Sequence, residues 1–539
     1  MNKGLLLLLS IGLTLAGAAQ AAEIVPINVD PAGKGLNDTT ARAPEGGNPG
    51  TTIGEQRRIV YQYAADLWGS VLQSDVQIRV QASFEPLTCD ATGATLGSAG
   101  PATAYLLTAD GQPTRIYPAA LSDALIGTDL QNGAGVDIVS RFNSSWGGSN
   151  PDGTPCSPGS GWYYGLDGKT PAGQINFLNV VMHEIGHGLG FLGFGNVNTG
   201  APLAGYQDIF SSFVYDDATQ KGWYELTNAG RVTAEKAGKL VFRGPNVTAQ
   251  VPLVLGEALG LRASGNTVGN YEYGTAVFGP AVTTSNFNGQ VVVVNDGSAA
   301  PTQGCSASPA GAYAGKIALV DRGTCGFELK TKNAQDAGAI AVIVANNTAG
   351  ILNMADDPTI TATIPALMIS QADGAAIKAG TPGVSVAVAA VPGWHAGADA
   401  AGYARLYAPA TLQPGSTFSH YDVSATPNAL MEPAITDTLN ANLDLDLTPA
   451  AFQDIGWTLN PNNALIDGCD TGVPVISTGG IIIGASVQAR DDLCMAAASN
   501  KGGYQSCMSN YKNQLAASGL LQGNQGGRIA SCSAHRSKK

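Results

Sequence analysis

Two histidines stand one helical turn apart in the stretch HEIGHGLGFLGF, which runs from residue 183 to residue 194. Residues at positions i and i+4 share one face of a helix, so the imidazoles of His183 and His187 can reach a single metal ion. Glu184 lies about 100° further round the helix, where its carboxylate can act as a general base on a water beside the metal. The spacing therefore predicts a helix that carries two ligands of a hydrolytic zinc site.

Glycines crowd the same stretch, although each one in a helix interior costs roughly 1 kcal/mol relative to alanine. They stand at positions 186, 188, 190 and 193. We expect the helix to end at Gly190, since glycine can adopt a positive φ and turn the chain. The alternative, a solvated surface helix with two unrelated histidines, fits poorly with so apolar a stretch. Two histidines do not complete a zinc site, so a third ligand must come from elsewhere.

Length and charge bound the class of protein. The chain has 539 residues, and single cores stop growing at roughly 250 to 300 residues, so two or three units are expected. Its 41 acidic and 28 basic residues give a net charge of −13. That balance excludes the clustered Lys and Arg of a nucleic-acid-binding surface. The 70 glycines and 29 prolines favour strands and loops over helical bundles.

The first residues predict a secretory signal peptide over 1–21. Lys3 precedes an apolar run, and small residues lead up to Ala21. The run is shorter than the roughly 20 residues that a membrane-spanning helix needs, and no other stretch is long enough. We therefore expect a protein that is secreted or periplasmic and has no membrane span.

Eight cysteines fit an exported protein, in which an even number favours disulfides. Along the chain they form three groups: Cys89 with Cys156, Cys305 with Cys325, and a tail group of Cys469, Cys494, Cys507 and Cys532. We expect pairing within each group. No CxxC occurs, so a cysteine-zinc module has no support.

Hydrophobic periodicity predicts the elements around the motif. Residues 53–72 have an apolar face at helical spacing, and residues 76–84 alternate as a half-buried strand does. A second strand is predicted at 136–146, and we expect it to pair with an extended substrate by edge addition. After the motif helix, a helix is predicted from Thr448 to Ile455. The tail has two helical stretches, at 491–499 and 504–516.

Residues 251–392 have a different sequence pattern, with short Val/Ile/Ala strands around a predicted helix at 328–338. The run GKIALVDRGTCGFELKTKNAQDAGAIAVIVANN at 315–347, followed by IPALMIS at 364–370, resembles the protease-associated (PA) domain. That resemblance implies a non-catalytic module that modulates substrate access, in which Asp321 and Arg322 belong to the structural pattern.

The motif itself resembles the metzincin metalloproteases, whose pattern continues as HExxHxxG and then supplies a third histidine. His183, Glu184, His187 and Gly190 match that pattern, whereas Gly193 stands where the histidine would be. In this respect the sequence resembles the leishmanolysin-like branch, in which an insertion separates the glycine turn from the third histidine.

The remaining histidines are His395, His420 and His535. His420 is preferred as the third ligand, because SHYD is followed by NALMEP, which resembles the Met-turn of the family. The resemblance would place Met431 beneath the metal as a packing residue. His395 lies at the exit of the inserted domain, and we expect His535 to lie in a disordered C-terminus.

Two other interpretations stay open. A thermolysin-like site would take a glutamate as third ligand, with Glu225, Glu235 and Glu257 as candidates. A catalytically silent binding or adhesion protein would keep the fold without turnover, although it would have no need of Glu184. The leading hypothesis is a secreted zinc metalloendopeptidase that acts on proteins or peptides. Calcium is also considered, but no ligand pattern in the acidic loops locates a site.

The predicted fold class is an α+β (α/β) zincin-like catalytic domain, discontinuous in sequence, with an inserted mainly-β α/β PA domain and a small disulfide-bearing helical C-terminal appendage. The predicted parts are the signal peptide at 1–21, the first catalytic part at 22–250, the PA domain at 251–392, the second catalytic part at 393–460 and the C-terminal extension at 461–539. Because 233 positions separate His187 from His420, such a site can form only when two distant segments fold together.

Overall fold

The computed structural model describes residues 8–10, 20–108, 112–133, 135–348, 350–436 and 438–536. Most of the predicted signal peptide thus lies outside the described residues. The chain divides into two compact units. The first combines the residues up to Leu255 with those from Gly397 onward, and the second is Gly256–Ala396. The chain is mixed α/β throughout, and no described helix has the length and apolar character needed to cross a membrane.

The first unit has nine α-helices among its described residues. They are Ile53–Val71, Ala119–Ile126, Phe177–Leu189, Asn228–Ala234, Pro245–Val254, Thr448–Ile455, Ile483–Ala497, Lys501–Ala517 and Gln525–His535. The first begins with a capping box, in which the Thr52 side chain accepts a hydrogen bond from the Glu55 amide and the Glu55 carboxylate accepts one from the Thr52 amide. Its apolar face is buried, as the periodicity predicts.

A four-stranded sheet packs beside the motif helix. Its strand order is Ile24–Asn28, Ile78–Glu85, Ile138–Asn143, Gly97–Pro101, and only the last pairing is antiparallel. The predicted strand at 136–146 is therefore present but internal, flanked on both sides. The expectation that it would pair with substrate is wrong, since its backbone groups already bond to both neighbours. The edge strand beside the motif helix is Gly97–Pro101, a Gly- and Pro-containing stretch that shows no apolar alternation.

The other strands of the first unit are short. They are Leu8–Ser10, Ala104–Thr108, Arg115–Pro118, Trp162–Tyr163, Ile175–Asn176, Val214–Asp216, Lys221–Gly222, Leu240–Phe242, Ala404–Arg405, Asn463–Ile466 and Cys469–Pro474. The strand Ala404–Arg405 pairs with Leu240–Phe242 and so joins the chain before the second unit to the chain after it.

The second unit is built on one eight-stranded sheet. The order is Gly269–Tyr271, Glu257–Gly265, Val384–His395, Asn288–Val293, Ile317–Asp321, Ala341–Ala345, Ala366–Ile369, Gly274–Thr275. The four strands from Asn288 to Ile369 are parallel, and the helices Phe327–Asp336 and Gln371–Gly380 connect or follow them. Their Val/Ile/Ala runs are buried because both faces of the sheet carry a hydrophobic cluster.

Four disulfides join Cys89 to Cys156, Cys305 to Cys325, Cys469 to Cys532, and Cys494 to Cys507. The expected pairing within groups is confirmed. The tail has three helices where two were predicted, and the third, Gln525–His535, contains His535. The expectation that His535 is disordered is therefore wrong, because the Cys469–Cys532 bridge and the buried Ile529 fix this helix.

Candidate metal centre

The motif helix is Phe177–Leu189, and all of its residues are buried. Its first turn is capped by Asn176, whose side chain accepts a hydrogen bond from the Leu178 amide. The indole of Trp68 donates to the Met182 carbonyl, and the indole of Trp457 donates to the Leu189 carbonyl at the helix end. These tryptophans come from opposite ends of the chain and fix the helix along its length.

The glycines of the helix permit close packing. A Cβ on Gly186 would lie 2.9 Å from the sulfur of Met431, and one on Gly188 would overlap Ile138 of the internal strand. Gly190 follows the last helical residue with φ of 125°, a conformation that favours glycine. The helix propensity lost at these positions is thus offset by contacts that alanine would prevent.

Three imidazoles converge on the buried side of the helix. The Nε2 atom of His187 lies 3.0 Å from that of His183 and 3.1 Å from that of His420, and the third pair is 3.3 Å apart. Each of the three residues is less than 8% exposed. The structure therefore brings His420 to the two helix histidines from 233 positions away.

The second nitrogen of each ring contacts a backbone carbonyl. His183 Nδ1 lies 2.7 Å from the Leu430 oxygen, His187 Nδ1 lies 2.8 Å from the Phe191 oxygen, and His420 Nδ1 lies 2.8 Å from the Ser416 oxygen. A carbonyl only accepts, so each Nδ1 carries the proton and each Nε2 presents a lone pair. Three lone pairs directed at one another repel unless a cation lies between them.

This donor set fits zinc. Zinc takes neutral imidazole nitrogens at about 2.0 to 2.1 Å in tetrahedral geometry, which sets neighbouring donor atoms about 3.3 Å apart. The observed separations of 3.0 to 3.3 Å are close to that value. The carbonyl contacts at Nδ1 are the outer interactions that orient metal-binding histidines.

Burial keeps the three rings neutral. It lowers the pKa of His183 to about 4 and that of His187 to about 3, the latter also through the nearby His183. The pKa of His420 is likewise lowered, first by burial and then by its two histidine neighbours. Neutral imidazole is the form that binds a metal.

Glu184 faces the edge strand Gly97–Pro101. A Cβ on Gly97 would lie 2.6 Å from Glu184 Oε1, so a larger residue here would displace this carboxylate. Burial raises the pKa of Glu184 to about 8, and a hydrogen bond from the Ala99 backbone opposes that rise. The carboxyl group is thus enclosed between the motif helix and the open edge of the sheet.

Gly193 has a structural reason of its own. A Cβ at this position would overlap the ring of Phe418, and the Gly193 amide donates to Ser419 Oγ at 3.1 Å. Phe418 and Ser419 directly precede His420. Gly193 therefore lies at the contact between the turn that follows the motif helix and the segment that carries His420.

Met431 is fully buried and packs against Gly186 of the motif helix. The preceding Leu430 supplies the carbonyl that His183 contacts, and its amide donates to the buried carboxylate of Asp446. The Tyr421 amide donates to the Met431 carbonyl at 2.8 Å, next to His420. This turn therefore supports two of the three imidazoles.

A pocket of about 320 Å³ opens beside His187. Its lining includes Ala99, Leu192, Gly193, Asn196, Thr417 and Ser419. The pocket is thus bounded by the edge strand, the turn after the motif helix and the segment before His420.

The rival third ligands lie elsewhere. Glu225 accepts from the Gly222 amide, and Glu235 accepts from the Trp223 indole, so both are engaged in local structure. Glu257 and His395 are paired residues of two neighbouring strands in the second unit. His535 contacts the Ser531 carbonyl on the last helix. In the described part of the chain the clustered metal-ligating side chains are His183, His187 and His420.

Residues 277–377 match the family model of the PA domain. The predicted protease-associated domain is thereby confirmed. The Arabidopsis thaliana protein signal peptide peptidase-like 2 is 37% identical over 67 residues, which is 12% of this chain and 12% of that protein.

Solved structures also resemble parts of the chain. The zinc aminopeptidase BSAP from Bacillus subtilis is 20% identical over 27% of this chain and 36% of its own, with a TM-score of 0.19. The subtilisin-like protease Apa1 from Pseudoalteromonas sp. AS-11 is 24% identical over 25% of this chain and 34% of its own, also with a TM-score of 0.19. Each of these two matches covers only about a quarter of this chain.

Several residues that build the candidate site leave no signal in the sequence. The Leu430, Phe191 and Ser416 carbonyls belong to the backbone, which any residue supplies. Gly97 and Ala99 stand in a strand without apolar alternation. A signal did exist at Gly193: a glycine where a related pattern carries a ligand indicates close approach of another chain segment.

Proposed function

We propose that this chain is a zinc-dependent metalloendopeptidase of the metzincin type, resembling the leishmanolysin-like branch. The observation that carries the proposal is the convergence of three buried imidazoles whose Nε2 atoms lie within 3.3 Å of one another, with Glu184 next to His183 on the same helix. His183, His187 and His420 would hold the ion, and Met431 would pack beneath them.

When bound, zinc supplies a Lewis acid that polarises a peptide carbonyl and makes a water molecule acidic near neutral pH. Glu184 accepts the proton of the attacking water and delivers it to the leaving amine. A positive charge at the histidine nitrogens favours the ionised form of this carboxyl group and so counters the effect of burial on its pKa. The three backbone carbonyls hold the imidazoles in the required tautomer.

The edge strand Gly97–Pro101 is suited to bind substrate. An extended peptide can add to the free edge of a sheet through main-chain hydrogen bonds. Ala99 lies both on this strand and in the pocket beside His187. A peptide paired here would place its carbonyl groups close to Glu184, and the pocket would receive one side chain.

The PA domain and the disulfides bear on substrate access and on the location of the protein. The PA domain would modulate access of protein substrates to the site. Four disulfides suit an oxidising compartment, so we propose that the protein is exported through the signal peptide at 1–21.

The test measures hydrolysis of casein and of a peptide blocked at both ends by the wild type and Glu184→Gln. We expect both substrates to be cleaved, and the substitution to lower kcat/KM roughly 10²- to 10⁴-fold while zinc stays bound, because it removes only the general base. Glu235→Gln is the matched control, since Glu235 is a buried glutamate that accepts from the Trp223 indole and is not part of the histidine cluster.

Full activity of Glu184→Gln would contradict the assigned base. Failure to cut the blocked peptide, with cleavage of the same peptide once its amino terminus is free, would contradict an endopeptidase and indicate an aminopeptidase. Absence of hydrolysis by zinc-loaded wild type would favour the silent binding protein.

A further inference from the structure

One of the four disulfides differs from the others in its exposure to solvent. In each of the bridges Cys89–Cys156, Cys469–Cys532 and Cys494–Cys507, one cysteine is at most 2% exposed. In Cys305–Cys325, which lies within the PA domain, both cysteines are partly exposed and neither is buried. Because thiol–disulfide exchange depends on access to the sulfur atoms, an external thiol can reach this bridge more readily than the other three.

A buried lysine contacts one sulfur atom of the same bridge. Lys330, on the helix Phe327–Asp336, is 0% exposed, and its Nζ lies 3.4 Å from Cys305 Sγ. The same ammonium group donates to the Gln303 carbonyl at 2.7 Å. A positive charge beside a sulfur atom favours the thiolate over the thiol. Lys330 is therefore placed to stabilise Cys305 once the bridge is reduced.

The Lys330 ammonium has no directly paired carboxylate among the described residues. Burial lowers the pKa of Lys330, and the charges of Asp321 and Asp296 oppose that effect only in part. Asp321 pairs with another lysine, and Asp296 accepts from backbone amides. A thiolate at Cys305 would supply the counter-charge, and it would form when the bridge opens.

Other contacts hold the two cysteines close to each other. Gln303 Oε1 accepts from the Thr324 amide at 3.0 Å, which joins the chain segments beside the two cysteines. Asn333, on the same helix as Lys330, donates to the Gly304 carbonyl at 2.9 Å. Because these contacts involve atoms outside the bridge, reduction would leave the two sulfur atoms placed to form it again.

We propose that Cys305–Cys325 is a thiol-responsive site, which an external dithiol opens and reoxidation closes. The inference does not depend on the proposed peptidase activity. The other three disulfides would stay closed under the same conditions, since a buried cysteine in each of them restricts attack.

The exchange has two steps. A thiolate of the dithiol attacks Cys325 Sγ, where a new S–S bond forms, while the bond to Cys305 breaks and Cys305 leaves as a thiolate beside Lys330. The second thiol of the reagent then closes the reagent's own disulfide, and its proton goes to the departing Cys325 sulfur. The two cysteines thus gain the two electrons that the dithiol loses. Stabilisation of the Cys305 thiolate speeds the first step and favours the reduced form.

The test treats the full chain with increasing concentrations of dithiothreitol, then alkylates the free thiols and locates them by peptide mass spectrometry. We expect Cys305 and Cys325 to be labelled at a concentration roughly tenfold or more below that which opens any other bridge. Oxidised glutathione should then close the bridge again in a sample that was not alkylated.

Lys330→Met removes the positive charge and keeps a long side chain. We expect this variant to slow the reduction of Cys305–Cys325 roughly tenfold, because the leaving thiolate loses its cation. In the reduced protein, alkylation of Cys305 should need a higher pH than in the wild type. Lys332→Met is the matched control, since Lys332 lies on the same helix and pairs with Asp336.

Opening of another bridge before Cys305–Cys325, or together with it, would overturn the proposal. Reduction of Lys330→Met at the wild-type rate, with alkylation of Cys305 at the wild-type pH, would overturn it as well. The order of opening in the wild type decides the question even if Lys330→Met does not fold.

Discussion

The two segments that supply the histidine cluster are built in opposite ways. The motif helix Phe177–Leu189 places His183 and His187 by its own periodicity, with hydrogen bonds between neighbouring turns. The return segment, residues 404–431, contains one strand of two residues and is otherwise irregular. It holds His420 by single backbone contacts: the Tyr407 amide donates to the His420 carbonyl, and the Phe418 amide donates to the Tyr407 carbonyl.

Because of this contrast, the site is most sensitive to changes in the return segment. Phe418 in the return segment has φ of 74°, an uncommon value for a bulky residue, and its ring stacks on Trp223 at 5.1 Å. Tertiary packing therefore maintains a conformation that the local sequence disfavours. The helix would keep His183 and His187 on one face by itself, whereas the position of His420 depends on the fit between Phe418 and Gly193.

Gly193→Ala should have the largest effect on the contact between the motif helix and the return segment. The added methyl group would overlap the Phe418 ring, and overpacking of a buried site typically costs about 1 to 3 kcal/mol. We expect a lower melting temperature and weaker zinc binding with the motif helix intact. Zinc titration and thermal unfolding measure the two effects.

Gly161→Ala is the matched control, since a Cβ there meets nothing within 4 Å and its φ is ordinary. Zinc affinity equal to that of the wild type in Gly193→Ala would show that the return segment adapts to the helix, and would remove the contrast between the two segments.

Asp446→Asn should have a smaller, pH-dependent effect. The buried Asp446 carboxylate accepts from the Leu430 amide, which joins the return segment to His183. Asparagine tolerates the positive φ of 48° at this position but reverses one hydrogen bond, at a cost of about 1 kcal/mol.

Burial raises the pKa of Asp446 from 3.8 to about 7. The folded state therefore holds a proton that the unfolded state releases, and this stabilisation is lost as the pH rises from about 4 to about 7. Asp446→Asn has no carboxyl group at this position, so its free energy of unfolding does not fall in this way. The difference in free energy of unfolding between the wild type and the variant should therefore be smaller at pH 8 than at pH 5. Urea unfolding of both proteins at the two pH values measures it, and a cost that grows with pH would contradict the assigned burial.

The sequence predicted what periodicity and local spacing determine. The helix Thr448–Ile455 was predicted with the bounds that the structure has, and the first helix differs by one residue at its end. The buried strands within residues 277–377 are likewise apolar runs of consecutive residues. The PA domain match over these residues agrees with the prediction. Each of these elements expresses one pattern over consecutive residues.

Long-range geometry explains what the sequence could not predict. The edge strand Gly97–Pro101 has no apolar alternation, and its Gly97 lies in close contact with Glu184 rather than in a core. The internal position of Ile138–Asn143 depends on which strand adds beside it, and its own residues do not encode that choice.

The zinc content per chain shows directly whether His183, His187 and His420 form one metal site. We expect one zinc ion per wild-type chain after dialysis, and the same in His535→Ala, whose imidazole lies on the exposed last helix. His420→Ala should lose the ion while its far-ultraviolet circular dichroism keeps the signal of the motif helix. Full retention of zinc by a folded His420→Ala would contradict the account, because the site would then not need the return segment.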